Sequence, residues 1–224
     1  MPTLSLKTGD MPLIIEQCKK SGLLRNQAAY VLATVIHETA GTAKPIKETV
    51  MAHHQDKNPS DAVVINRLNV AFAKGQLGSV KTPYWRDGWF GRGYVQITHK
   101  ANYDKLGVTK DTALQPAPAA KAMIDGMVKG LFTGKKLSDY ITLNTSGFVG
   151  ARRIINGTDK AELIAGYAKE YDALLKQSGY GEDATSTKEM TKEGIIVAAG
   201  VSVVAGLWYA LSFIPCKLLG VLCG

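Results

Sequence analysis

Two glutamates stand ten residues apart, Glu38 and Glu48, in the stretch Val35 to Thr49, VIHETAGTAKPIKET. Two carboxyl groups can share the hydrolysis of a glycosidic bond if they lie roughly 5 to 9.5 Å apart: one protonates the leaving oxygen, the other acts on the opposite face of the sugar. A continuous helix forbids this, because ten residues at about 1.5 Å each hold the pair about 15 Å apart along the axis. The pair can work only if the chain turns back between them. Gly41 and Pro45 fall in that interval, and both favour a break. The alternative is that the two are unrelated surface charges.

Glu38 ends an apolar stretch, next to Val35 and Ile36. A helix C-terminus and apolar neighbours both favour the protonated form that a general acid needs. A helix-end glutamate exposed to water is the competing reading, and His37 reads as a packing or supporting residue. The second informative stretch is YWRDGWFGRGYVQIT, Tyr84 to Thr98. If Arg92 to Thr98 is extended, alternation puts Arg92, Tyr94, Gln96 and Thr98 on one face and Val95 and Ile97 on the other, as a cleft wall requires. Tyr84, Trp85, Trp89 and Phe90 could stack on sugar rings or form a satellite core. Gly91 and Gly93 would admit a close backbone approach or a bulge. A bare G-x-G without a following helix does not read as nucleotide binding.

The elements that must position these residues are mostly helical. RNQAAYVLATVIHE places Ala28, Val31, Leu32, Val35 and Ile36 at helical spacing, with Asn26 as N-cap and an end near Glu38. Further helices are expected in PSDAVVINRLNVAFAKG, PAPAAKAMIDGMVKGLF, KLSDYIT and KAELIAGYAKEYDALLKQ, the last with Leu163, Tyr167, Tyr171 and Leu174 as its apolar stripe. RGYVQIT is the one strand-like segment. The fold class expected is mainly α, with a small β element.

The chain of 224 residues carries a formal charge of +8, which suits an anionic partner: nucleic acid, an anionic membrane or an acidic cell-wall polymer. Its three cysteines, Cys18, Cys216 and Cys223, form neither a disulfide framework nor a zinc spacing. The N-terminus lacks an apolar run of signal-peptide length behind a basic region, so export by a cleaved signal is not expected. From Ser178 the composition turns polar, a flexible linker over 178–193. Ile195 to Ile214 then runs twenty residues without a charge, about what a bilayer core requires. The expected organisation is a catalytic domain over 1–177, the linker, a transmembrane helix over 194–215 and a tail over 216–224. The apolar run is lean, with eight of its twenty residues Gly, Ala or Ser, and small residues allow close helix packing. It would anchor the protein to the inner membrane.

HET at 37–39, GRGYVQIT at 91–98, Asn102-Tyr103 and RIINGT at 153–158 together resemble the ordered signature of family 19 glycoside hydrolases, the chitinases and related phage endolysins of lysozyme-like helical fold. The resemblance spans roughly residues 25 to 175. It implies Glu38 as general acid and Glu48 as the base that activates water, in an inverting mechanism. It implies Gln96, Thr98, Tyr94, Arg92, Asn102, Asn156 and Trp89 as substrate-binding residues, with Thr98 helping to hold the water and Asn156 lining the subsites or steadying the base. No metal or cofactor is implied. The sequence departs from the pattern at Ala40-Gly41, where Gly-Gly is usual, and at Gly157-Thr158, where Gly-Gly is common. Asp56 and Asp87 are alternative bases.

The reading expected is a monomeric phage-type endolysin. It would be held in the host cytoplasm or at the inner membrane and would act in the periplasm on the glycan strand of peptidoglycan, with no nucleic-acid partner. Chitinase is the nearest alternative. A zinc amidase lacks its site, since HETAG is not H-E-x-x-H and the remaining histidines are His53, His54 and His99. A third possibility is a membrane-disrupting or wall-binding protein without hydrolase activity.

Overall fold

The computed structural model describes residues 4–78 and 80–181. The chain divides into a unit of Met1–Tyr180 and a second of Gly181–Gly224. The expected transmembrane helix, the tail and all but the first residues of the linker lie outside the described residues. Among the described residues, no helix is long and apolar enough to cross a membrane.

The described unit is mainly helical: α1 (Met11–Lys20), α2 (Arg25–Glu38), α3 (Asp61–Ala73), α4 (Lys100–Leu106), α5 (Pro116–Lys129), α6 (Phe148–Ala151) and α7 (Ala161–Gln177), with β1 (Ile46–Lys47) and β2 (Arg92–Gly93) as its small sheet. Helix α2 is its axis. Every residue from Ala28 to Ile36 is buried, and a helix apolar on all sides must be enclosed on all sides. Helix α7 packs along it, α1 leans on both α2 and α5, and α6 packs on α7.

Helix α2 covers the residues expected, but Asn26 is not its cap. Leu24 holds that position, and its N–H is taken by the Gln27 side chain at 3.2 Å. The Asn26 amide instead reaches the Thr142 carbonyl at 2.8 Å and the Ser146 hydroxyl at 3.0 Å. Those contacts hold a tight turn where KLSDYIT was expected to be helical: only Leu137–Asp139 forms a single 3-10 turn, and Ile141 bridges back to Ser146. On α7 the buried stripe is Ile164, Ala168, Tyr171 and Leu175, with Tyr167 beside it. Leu163 is exposed, because small alanines allow α7 a closer approach to α2 on the neighbouring stripe. Helices α3 and α5 form where expected, the first capped by Ser60 and the second opened by Pro116 and closed by Gly130 at φ 71°. Helix α1, with Met11, Ile14 and Cys18 buried on one face, and the short helices α4 and α6 were not anticipated.

The strand reading of RGYVQIT is also corrected. Only Arg92 and Gly93 are extended, antiparallel to Lys47 and Ile46. The chain then turns through Tyr94–Gln96, and Ile97 returns to pair with Arg92. Gly93 at φ 87° and Gln96 at φ 53° make the turn, so the expected alternation of faces does not exist.

After Glu38 the chain reverses. Ala40, Gly41 and Ala43 have φ of 49°, 84° and 50°, a region costly for alanine unless its surroundings hold it. The buried Thr39 hydroxyl holds it, donating to the Val35 carbonyl at 2.8 Å and accepting the Ala43 N–H at 2.9 Å. From outside, the Asp10 N–H donates to the Ala43 carbonyl at 2.9 Å. Gly9, at φ 49°, lies so close beneath the turn that a Cβ there would collide with the Thr42 carbonyl oxygen and lie 2.7 Å from that of Ala43. Gly9→Ala is therefore expected to lower the unfolding free energy by about 2 kcal/mol or more. Denaturant melts read this directly, and an unchanged midpoint would show that the turn does not rest on Gly9.

Candidate active site

Glu38 is the last residue of α2, and its Oε1 accepts a hydrogen bond from Arg152 Nη1 at 2.6 Å. Arg152 is 3% exposed, and its Nε donates to the Asp159 carbonyl at 2.9 Å. The guanidinium reaches Glu38 because α6 is registered against α2: four residues before Arg152, Phe148 stacks on Tyr30 with centroids 6.3 Å apart, and Tyr30 lies two turns before Glu38. Glu38 Oε2 has no hydrogen bond among the described residues. Burial lowers the His37 pKa below the usual histidine value against the opposing charge of Glu38, so His37 is neutral at pH 7. RIINGT starts within a 3-10 turn, Arg152–Ile154, and continues as a loop beside Arg152: the Asn156 N–H donates to the Arg152 carbonyl at 3.0 Å, and the Asn156 side chain accepts the Gly157 N–H at 2.8 Å. Asn156 is exposed.

Glu48 follows β1 and is held by neutral donors. The Tyr84 hydroxyl donates to Oε1 at 2.5 Å and the Gly91 N–H to Oε2 at 2.8 Å, while the Glu48 N–H donates to the Gly91 carbonyl at 2.7 Å. Burial, and then the neighbouring Glu48, push the Tyr84 pKa far up, so Tyr84 keeps its proton and acts as a donor. Gln96 covers Gly91: its amide donates to the Ile46 carbonyl at 3.2 Å, and a Cβ on Gly91 would lie 2.7 Å from its Oε1. The Thr98 hydroxyl donates to the Gln96 carbonyl at 2.9 Å and Asn102 to the Thr98 carbonyl at 2.8 Å. Glu48, Gln96, Thr98 and Asn102 thus belong to one hydrogen-bonded wall. Gln96 and Thr98 shape it through the backbone.

The side chains of Arg92, Tyr94 and Trp89 take no part in those hydrogen bonds. Arg92 is 1% exposed and binds Asp61 at 2.7 Å, the Gly88 carbonyl at 2.7 Å and the Tyr103 hydroxyl at 3.2 Å. Burial pushes the Asp61 pKa up, but hydrogen bonds and charge from Lys47 and Arg92 outweigh it and hold it below the usual value. Arg92 therefore faces a charged partner at neutral pH. Tyr94 is buried and donates to Asp10 at 2.8 Å. The half-buried Trp89 ring packs edge-on against Tyr103 and has the Lys110 ammonium 4.4 Å from its centroid. Trp85 and Phe90 are fully buried with Val64 and Leu68 in a second apolar cluster, the satellite core. Of the alternative bases, Asp56 is paired with Arg67 at 2.9 Å, and Asp87 is exposed on the loop before Gly88.

Arg152 is the site residue that sequence reasoning missed, and Tyr84, expected to stack on a sugar or join a satellite core, instead donates to Glu48. A basic pair directly before IIN is the only sequence signal for Arg152. Beside Glu48 lies a cavity of about 640 Å³, lined by Glu48, Thr49, Val50, Leu68, Ala71 and Leu77 among others, a size suited to a small ligand or one sugar unit with its substituent. Among the described residues, no three His, Cys, Asp or Glu side chains come together as a metal site requires. No protein family model matches the chain, and neither does any curated protein or solved structure.

Removing the Arg152 guanidinium would leave Glu38 and the Asp159 carbonyl without their donor. Arg152→Ala is expected to cost about 3 kcal/mol of stability. Arg152→Lys should recover only part of that, since one ammonium cannot reproduce the planar fork. Equal melting of Arg152→Lys and wild type would show that the fork is not what holds Glu38.

Proposed function

We propose that this chain is a phage-type endolysin that hydrolyses the glycan strand of bacterial peptidoglycan, with a lysozyme-like helical domain akin to that of family 19 glycoside hydrolases. The observation that carries the reading is the reversal at Thr39–Ala43, which takes Glu38 and Glu48 off a common helix and leaves each carboxylate oriented by its own donors. In this reading a water attacks the anomeric carbon and yields its proton to Glu48. The glycosidic C–O bond breaks as Glu38 delivers a proton from Oε2 to the leaving oxygen, and the configuration inverts without a covalent intermediate. Arg152 fixes the acid, Tyr84 and Gly91 fix the base, and the cavity beside Glu48 receives an N-acyl sugar against its aliphatic floor. Chitin is the competing substrate.

The full-length chain should clear a suspension of outer-membrane-permeabilised Gram-negative cells and release new reducing ends from their sacculi. Glu38→Gln and Glu48→Gln should each lower the rate by roughly 10² to 10⁴ with unfolding midpoints near that of wild type. Lysis without reducing ends, or activity that survives both substitutions, would sink the reading.

The uncharged run Ile195 to Ile214 is assigned the role of anchor to the inner membrane, which holds the enzyme there until lysis begins. In fractionated host cells, full-length protein is expected in the membrane pellet and resistant to a high-salt wash. Recovery of the whole chain in the soluble fraction would remove the anchor from the proposal.

A further inference from the structure

We infer that a second cavity, between α6 and the start of α7, binds the anionic peptide stem carried by a peptidoglycan strand. It has a volume of about 520 Å³, and its lining includes Val149, Arg153, Thr158, Lys160, Glu162 and Leu163. Val149 on α6 and Leu163 on α7 are large aliphatic side chains left 41% and 38% exposed. Arg153 and Lys160 take part in no ion pair among the described residues, although Glu162 shares their cavity. Two cations against one carboxylate leave an excess positive charge, with a hydroxyl and two aliphatic walls beside it. A neutral N-acyl sugar chain offers the cations nothing to pair with. A short peptide bearing free carboxylates and small alkyl side chains satisfies both.

The position ties this cavity to the chemistry. Arg153 follows Arg152 directly, and Lys160 follows Asp159, whose carbonyl accepts from Arg152. A carboxylate held between Arg153 and Lys160 thus bears on both ends of the loop that fixes Glu38. The inference rests on the endolysin reading for its choice of ligand and deepens it: the preferred substrate is a strand with charged stems, and chitin or a strand with amidated stems is a poor one.

The test is calorimetric titration of the full-length protein with a synthetic stem tetrapeptide carrying its D-glutamate and C-terminal carboxylates, beside the same peptide fully amidated. The free acid should bind at least about tenfold more tightly than the amide, and Arg153→Ala with Lys160→Ala should weaken it by about tenfold or more. Glu162→Gln should tighten it by about threefold. No binding, equal binding of acid and amide, or binding indifferent to the double substitution each overturns the inference. Hydrolysis of stem-bearing strands and of strands whose stem carboxylates are amidated separates the two proposals. Peptide binding without cleavage of either strand removes the endolysin reading and leaves the site. Cleavage of both strands with equal KM removes the site and leaves the enzyme.

Discussion

A helix buried along its whole length can carry a charge only at its ends, and then only if something meets it. In this protein the ionisable group at one end is Glu38, met by Arg152, and at the other end Arg25, met by Asp172. A carboxylate at the edge of an apolar core loses much of its hydration, and one cation with directed N–H groups restores it. Arg152 is itself 3% exposed, so it needs acceptors of its own, and the Asp159 carbonyl is the second. Much of the surrounding architecture follows from the pairing of Glu38 with Arg152: α6 delivers the arginine, Phe148 sets its height on α2, the 153–158 segment runs beside it, and α7 begins where the loop has closed.

Glu48 is built on an opposite principle. It is held by a tyrosine hydroxyl and a backbone N–H, which orient a carboxylate without neutralising it. The second buried arginine, Arg92, plays no part in this and braces the hairpin from behind through Asp61. One arginine thus serves a carboxylate at the site while the other serves the wall that carries the site. Asp10 works in a similar way from the N-terminal segment, taking the Tyr94 hydroxyl with its side chain and the Ala43 carbonyl with its N–H. It joins the hairpin to the turn after Glu38.

The two cavities divide along the same line. The one beside Glu48 is mostly aliphatic and faces the proposed base, while the one beside the Arg152 loop is lined by two cations and adjoins the support of the proposed acid. A polymer that alternates uncharged sugar with charged peptide would engage both in ways a uniform glycan cannot.

The sequence by itself determined the helical class and the extents of α2, α3, α5 and α7, because apolar periodicity and cap or proline signals are local properties. It also placed the end of an apolar helix near Glu38, and Gly41 and Pro45 favoured a break after it. Tertiary structure decided the rest. Arg92 and Tyr94 read as cleft residues from alternation, yet the turn at Tyr94–Gln96 sends both into the interior, and only the distant Asp61 and Asp10 explain why they can stay there. Asn26 read as a cap, but Thr142 and Ser146, more than a hundred residues on, compete successfully for its amide. Leu163 read as core, and the close approach of α7 to α2 chose Ile164 instead. Arg152 could not be paired with Glu38 from spacing, since 114 residues separate them and nothing local links a basic pair before a loop to the end of a helix. Periodicity reports which face of an element is apolar, whereas the partner of a buried charge depends on where distant elements meet.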